Sequence, residues 1–145
     1  MIQHGFVRVA AGVPRVRVAD CAANAERIVG LMKRAEAEGT AVLVMPELSL
    51  PGYTCGDLFH QSSLQRAALS ALKDLVQKSL TMYTGLAIVG LPVAVDDKLY
   101  NCAAVFQQGR ILGVVPKSFL PTYKEFYETR WFAPGTQARN QTMQL

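Results

Sequence analysis

A chain of 145 residues, half of them hydrophobic and 18% charged, has the length of one ordinary domain and enough apolar material for a sizeable core, which argues against intrinsic disorder. Fifteen Lys and Arg against eleven Asp and Glu leave a formal charge of +4, but the cations are scattered rather than gathered into a stripe with interleaved aromatics, so nucleic acid is not an expected partner. The longest apolar runs, such as AVLVM at 41–45, fall far short of a membrane span, and Arg8, Arg15 and Arg17 interrupt the region where a signal peptide needs an unbroken apolar stretch; a cytoplasmic protein with no membrane partner is expected.

In chain order, residues 5–18 (GFVRVAAGVPRVRV) alternate apolar and polar side chains at both ends and predict a strand with an internal proline irregularity. Asp20 then caps a helix whose apolar residues Ala22, Ala25, Ile28, Val29, Leu31 and Met32 recur at helical spacing, and Gly39 supplies its stop. AVLVMPE is a short, continuously apolar run, the pattern of a parallel strand covered on both faces, and Pro46 ends its ladder by lacking an N–H.

The stretch SLPGYTCGDLFH is rich in turn formers, after which Ser62 or Ser63 opens a second amphipathic helix carrying Leu64, Ala67, Ala68, Ala71, Leu72, Leu75 and Val76. GLAIVGLPVAV and KLYNCAAVFQQG read as buried strands, and the tight step at Gln108, Gly109 and Arg110 makes a hairpin with a last strand that ends at Lys117. This β-α-β-α-β-β-β order predicts a layered α/β domain with a mixed sheet and flanking helices. No repeat, low-complexity tract or interdomain linker is present.

Ligands of open α/β sheets gather beyond the carboxyl ends of strands. Two ionisable residues fall there, Glu47 after VLVMP and Lys117 after LGVVP, each following a proline that stops its strand. A third cluster, PTYKEFYETRWF at 121–132, mixes aromatics with Lys124, Glu125, Glu128 and Arg130; on spacing alone it reads as an aromatic loop or short helix on the core, with Glu125, Glu128 and Arg130 in local ion pairs.

Of three widely spaced cysteines, Cys21 lies in the first helix and Cys102 in a strand, both read as buried and structural. Cys55, eight residues after Glu47, is the one whose position allows a nucleophile to be considered. No CxxC and no histidine pair suggests a metal site, an odd number of cysteines fits a reducing compartment, and His4 and His60 receive no role.

PELSLPGYTCGDLF at 46–59 and VPKSFLPTYKEFYETRWF at 115–132 closely resemble the glutaminase domain of bacterial glutamine-dependent NAD synthetases, within the nitrilase superfamily of carbon-nitrogen hydrolases. The order of strands and helices between the two blocks is also similar to that family, so the resemblance extends over essentially the whole chain. It implies an α-β-β-α sandwich, of which residues 1–145 would form the N-terminal portion of a single domain, and a Glu, Lys and Cys triad that hydrolyses the side-chain amide of glutamine.

By the same resemblance Glu47 matches the general base and Lys117 the lysine that stabilises the oxyanion. Glu125, eight residues after the lysine, matches a second glutamate that supports the triad, and Tyr53 and Tyr123 match a pair lining the glutamine pocket. The residue types suit the chemistry: an amide is a poor electrophile, so attack needs a thiolate made by a carboxylate base, and the oxygen that gains charge needs a preorganised cation.

The family's nucleophilic cysteine lies some tens of residues beyond the lysine block, and none of the three cysteines matches it, so the 145 residues alone are expected to be inactive. ATP and Mg chemistry belongs to a C-terminal synthetase domain; no phosphate loop or SGGxDS-type run occurs here, and no cofactor is expected on this chain. Expected partners are glutamine, that synthetase domain and a second copy of the chain. A free-standing nitrilase-type amidase, or a non-catalytic nitrilase-like assembly module, are the alternatives.

Overall fold

The computed structural model describes residues 5–138; His4 and the terminal run 139–145 lie outside them. Five strands form one mixed sheet in the order β1-β2-β3-β4-β5, comprising β1 (Val9–Ala11), β2 (Val42–Val44), β3 (Leu86–Val95), β4 (Lys98–Gln107) and β5 (Arg110–Pro116). β1, β2 and β3 run parallel, joined through α1 (Cys21–Ala37) and α2 (Ser62–Met82); β4 and β5 then add antiparallel. The parallel half arises because each crossover carries a helix, the antiparallel half because only two residues separate consecutive strands.

Both of those short turns have left-handed central residues, Asp96 and Asp97 at φ 48° and 59°, and Gln108 and Gly109 at φ 44° and 77°. This is the geometry whose twist suits a two-residue hairpin. The sequence signalled the second turn through Gly109; two aspartates gave no comparable cue to the first.

α1 begins where predicted, with the Asp20 carboxylate accepting from the Ala23 N–H at 3.1 Å, and its last turn is closed by Gly39 at φ +65°. Its buried face includes Ala25, Ile28, Val29 and Met32. Asn24 on that face is fully buried, and its amide bonds only main chain: it donates to the carbonyls of Arg17 and Leu50, each at 2.7 Å, and accepts from the Arg17 N–H. It staples the segment before α1 to the loop after β2.

The first strand is shorter than the sequence implied. β2 offers only three pairing positions, so β1 spans Val9–Ala11; Gly12 makes one further bond to the Val44 carbonyl, and Pro14 has no N–H to continue the ladder. The rest of 5–18 adds no strand beyond an isolated bridge at Phe6, and Asn24 holds it at Arg17.

Alternation divides the sheet into two faces. Leu43, Ala87, Val89, Leu91, Ala104 and Phe106 pack under the helices and are at most 2% exposed. Val44, Ile88 and Val105, with Gly90, Ala103 and Val115, form the other face, where Val44 and Val115 are 40% and 60% exposed. No helix among the described residues is long and apolar enough to cross a membrane.

Candidate active site

The face away from the helices carries a cleft of about 290 Å³ at the carboxyl end of β2, lined by residues that include Glu47, Gly90, Asn101, Val115 and Lys117. Glu47 is delivered to it by a crossing of main chains. Met45 makes β2's last bond to β3, from its N–H to the Ile88 carbonyl at 2.9 Å, and Pro46 can make none. Leu48 then turns into the left-handed region at φ 50°, and the segment passes over β3 at Gly90, where the Gly90 N–H donates to Ser49 Oγ at 3.1 Å and the Gly90 carbonyl accepts from the Leu50 N–H at 3.0 Å.

Lys117 arrives from the other side. Its N–H donates to the Asn101 carbonyl and its carbonyl accepts from the Gly135 N–H, both at 2.8 Å, so the backbone is held on both flanks. Its ammonium lies 2.7 Å from Glu47 Oε1 and 2.9 and 3.0 Å from the two oxygens of Glu128. Glu128 opens a short 3-10 turn (Glu128–Arg130), is 1% exposed, and accepts a further hydrogen bond from the Tyr53 hydroxyl at 2.7 Å. The Asn101 amide donates to Glu47 Oε1 at 2.5 Å.

A buried carboxylate is costly unless paired and hydrogen-bonded, and Glu128 is both. Burial pulls the Lys117 ammonium toward neutrality, but the hydrogen bonds and charges of Glu47 and Glu128 together outweigh it, and its pKa ends above the ordinary lysine value. Lys117 is therefore a fixed cation at neutral pH. The Tyr53 phenol is pushed up, by burial first and then by the hydrogen bond to Glu128, and so remains a donor.

Glu47, Lys117 and Tyr53, singled out from the sequence, thus meet in space. Tyr123 does not touch the ion centre; it is 64% exposed and packs edge-on against Phe126, which in turn packs edge-on against Tyr53. Glu125, expected to support the triad, is exposed, and the carboxylate beside Lys117 is that of Glu128, eleven residues after the lysine instead of eight. The turn opened by Glu128 sends its side chain inward, with the Glu128 N–H donating to the Pro121 carbonyl at 3.1 Å.

The local ion pairs expected within 121–132 are replaced by distant ones. Arg130 makes two bonds to Asp57, at 2.7 and 2.8 Å, and the Trp131 indole donates to the same carboxylate at 2.9 Å. Those donors, Arg130 first, hold the Asp57 carboxyl well below the usual range. The two segments that bear Tyr53 and Glu128 are thereby joined a second time.

Sequence reasoning missed Asn101 and Glu128. The one available signal for Asn101 was a polar residue within the otherwise apolar stretch LYNCAAVF.

None of the three thiols is disposed to act on a substrate. Cys55 is buried and donates to the Pro51 carbonyl at 3.1 Å, and burial raises its pKa. Burial pushes Cys21 up to about 11 and Cys102 up to about 12. Cys102 pairs with Leu91, and its side chain is buried on the helix-covered face with Ala104 and Phe106. His60 is exposed, and no group of His, Cys, Asp or Glu able to hold a metal ion occurs among the described residues.

A mixed sheet, helices over one face and a carboxylate-ammonium-carboxylate centre at the strand ends of the other define an α/β domain of the nitrilase-superfamily fold. The chain belongs to the carbon-nitrogen hydrolase family, whose model matches residues 8–144. It is 46% identical over 137 residues to the glutamine-dependent NAD(+) synthetase of Mycobacterium tuberculosis, covering 94% of this chain and 20% of that protein. To the protein of that name from Thermotoga maritima it is 36% identical over 118 residues, with 81% and 20% covered.

Among solved structures it superposes on a glutamine-dependent NAD(+) synthetase from Cytophaga hutchinsonii with a TM-score of 0.84 and 26% identity, over 96% of this chain and 23% of that one. An amidase from Nesterenkonia sp. shares the fold, with a TM-score of 0.73 at 24% identity over 90% of this chain and 49% of the amidase. The chain spans about a fifth of the length of the curated relatives it matches.

Proposed function

We propose that this chain supplies the acid-base half of a site that hydrolyses the side-chain amide of glutamine, releasing ammonia for ATP-dependent NAD synthesis from nicotinic acid adenine dinucleotide in a longer protein. The observation that carries the reading is the Lys117 ammonium held 2.7 Å from Glu47 and 2.9 Å from buried Glu128, at the rim of a cleft of about 290 Å³. Glu47, partly exposed to the cleft, takes the proton of an incoming thiol. The thiolate bonds to the amide carbon, and the carbonyl oxygen, now negative, lies against the Lys117 ammonium.

Collapse breaks the carbon-nitrogen bond, and the proton on Glu47 passes to the departing nitrogen, which leaves as ammonia. Water then cleaves the thioester to glutamate. Glu128 anchors Lys117, while Tyr53 and Tyr123, joined through Phe126, line the approach. Because Cys21, Cys55 and Cys102 are buried, the thiol comes from residues outside these 145. Residues 1–145 are accordingly one portion of a single hydrolase domain, and the partners are glutamine, a synthetase domain that binds ATP and Mg, and a second copy of the chain, in the cytoplasm.

The test is ammonia release from glutamine by the protein expressed from the whole reading frame. Glu47→Gln and Lys117→Ala should each lower kcat by at least about 10²-fold, the usual scale for removing an acid-base group or a charge stabiliser. The 145 residues alone should release none. Release by them, abolished by Cys55→Ala, would overturn the reading.

A further inference from the structure

We propose that Asn101 is a positioning residue which, with Lys117, occupies one oxygen of the Glu47 carboxylate and so assigns proton acceptance to the other, Oε2. The inference rests on Glu47 being the base. Both donors that reach the carboxylate converge on Oε1, the Asn101 amide at 2.5 Å and the Lys117 ammonium at 2.7 Å. Oε2 accepts no hydrogen bond from the described residues, and Glu47 lines the cleft. When two donors engage one oxygen of a carboxylate, a proton is accepted at the other, and exchanging the two by rotation would break two bonds at once.

The placement of Asn101 suits this task. It is 3% exposed and lies on β4 beside both groups: its side chain holds Glu47 and its main-chain carbonyl accepts from the Lys117 N–H at 2.8 Å. Lys117 alone could not fix the carboxylate plane, because its ammonium is shared with two oxygens of Glu128. A second donor from a different strand turns a single-point contact into a two-point one. A neutral donor suits the place, since a second cation there would compete with Lys117 for the Glu47 carboxylate. The amide NH₂, rather than its oxygen, faces Glu47, because an oxygen there would meet a carboxylate with no proton between them.

The experiment is glutamine hydrolysis by the protein from the whole reading frame, read as kcat, KM and the pH profile of kcat/KM. Asn101→Ala removes the donor; Asn101→Asp keeps the shape, removes the donor when ionised and sets a like charge against Glu47. We expect Asn101→Ala to lower kcat about 10- to 100-fold with KM within about 3-fold, the scale seen when groups that orient a functional side chain are lost. In Asn101→Asp the acid limb of the profile moves to higher pH. A kcat close to wild type in both variants, or a loss confined to KM, overturns the proposal.

Thermal unfolding reports whether Asn101→Ala folds, and the isosteric Asn101→Asp carries the test if it does not. Glu47→Gln separates the two levels. If it still hydrolyses glutamine, the base assignment fails; if it is inactive while both Asn101 variants match wild type, only the present inference fails.

Discussion

The α-carbon of Gly90 lies under the peptide joining Glu47 to Leu48, so close that a methyl group there would stand 2.2 Å from the Leu48 nitrogen and 2.9 Å from the Glu47 carbonyl carbon. Both atoms are main chain and cannot swing away. Gly90→Ala must therefore lift the Glu47 segment off β3 and strain its bonds to Ser49 and Leu50. We expect a loss of about 1–3 kcal/mol by thermal or urea unfolding, as for other overpacked sites, together with loss of hydrolysis in the full-length protein. Wild-type stability in this variant would contradict the crossing.

Glu128 and Glu125 differ by one turn of chain, and only the first reaches Lys117. Glu128→Gln should cut glutamine hydrolysis about 10- to 100-fold, on the scale of lost orienting groups, and Glu125→Gln should leave it within about 2-fold. The reverse order would restore the assignment made from the motif.

Alkaline pH should unfold this chain by a route that its burial pattern sets. Cys102 is pushed up to about 12 and Cys21 to about 11 from an ordinary 9.0, Tyr83 to about 12 from 10.0, and Lys117 is raised above 10.5. In every case the folded state holds its proton more tightly than the unfolded one. The stability from these groups is thus complete below pH 9 and drains away as pH climbs from about 9 toward 12. Thermal midpoints measured across that window should fall steadily, and less steeply for Cys102→Ala; a level profile to pH 11 would refute this.

Trp131 is the single tryptophan, and its indole N–H is held by the Asp57 carboxylate at 2.9 Å. Asp57→Ala should shift its fluorescence and hasten indole N–H exchange, while thermal stability drops little because the carboxylate is at the surface. An unchanged emission spectrum would show that the tie between the two loops does not hold in solution.

Glu47 and Lys117 were legible in the sequence because each follows a proline that must end a strand, and strand ends are where α/β sheets keep their chemistry. Asp20 and Gly39 framed the first helix for equally local reasons. What escaped were features fixed by a distant neighbour. The length of the first strand is set by how much of β2 is available to pair. The importance of Asn101 depends on Glu47, 54 positions away. In 121–132, four charged residues lie within seven positions, and Glu125 and Glu128, one turn apart, are the same residue type, so nothing local distinguishes the inward Glu128 from the outward Glu125.

The contact between Tyr53 and Glu128 joins residues 75 positions apart, and it has a kinetic side. Closing so long a stretch of chain is entropically slow, and non-local contacts form after local ones. Residues 121–132 are expected to dock after the two βα units, with Glu128 losing its water as it meets Lys117. The centre thus joins segments far apart in the chain, and a lesion that hinders docking of 121–132 is expected to cost hydrolysis before it costs the core.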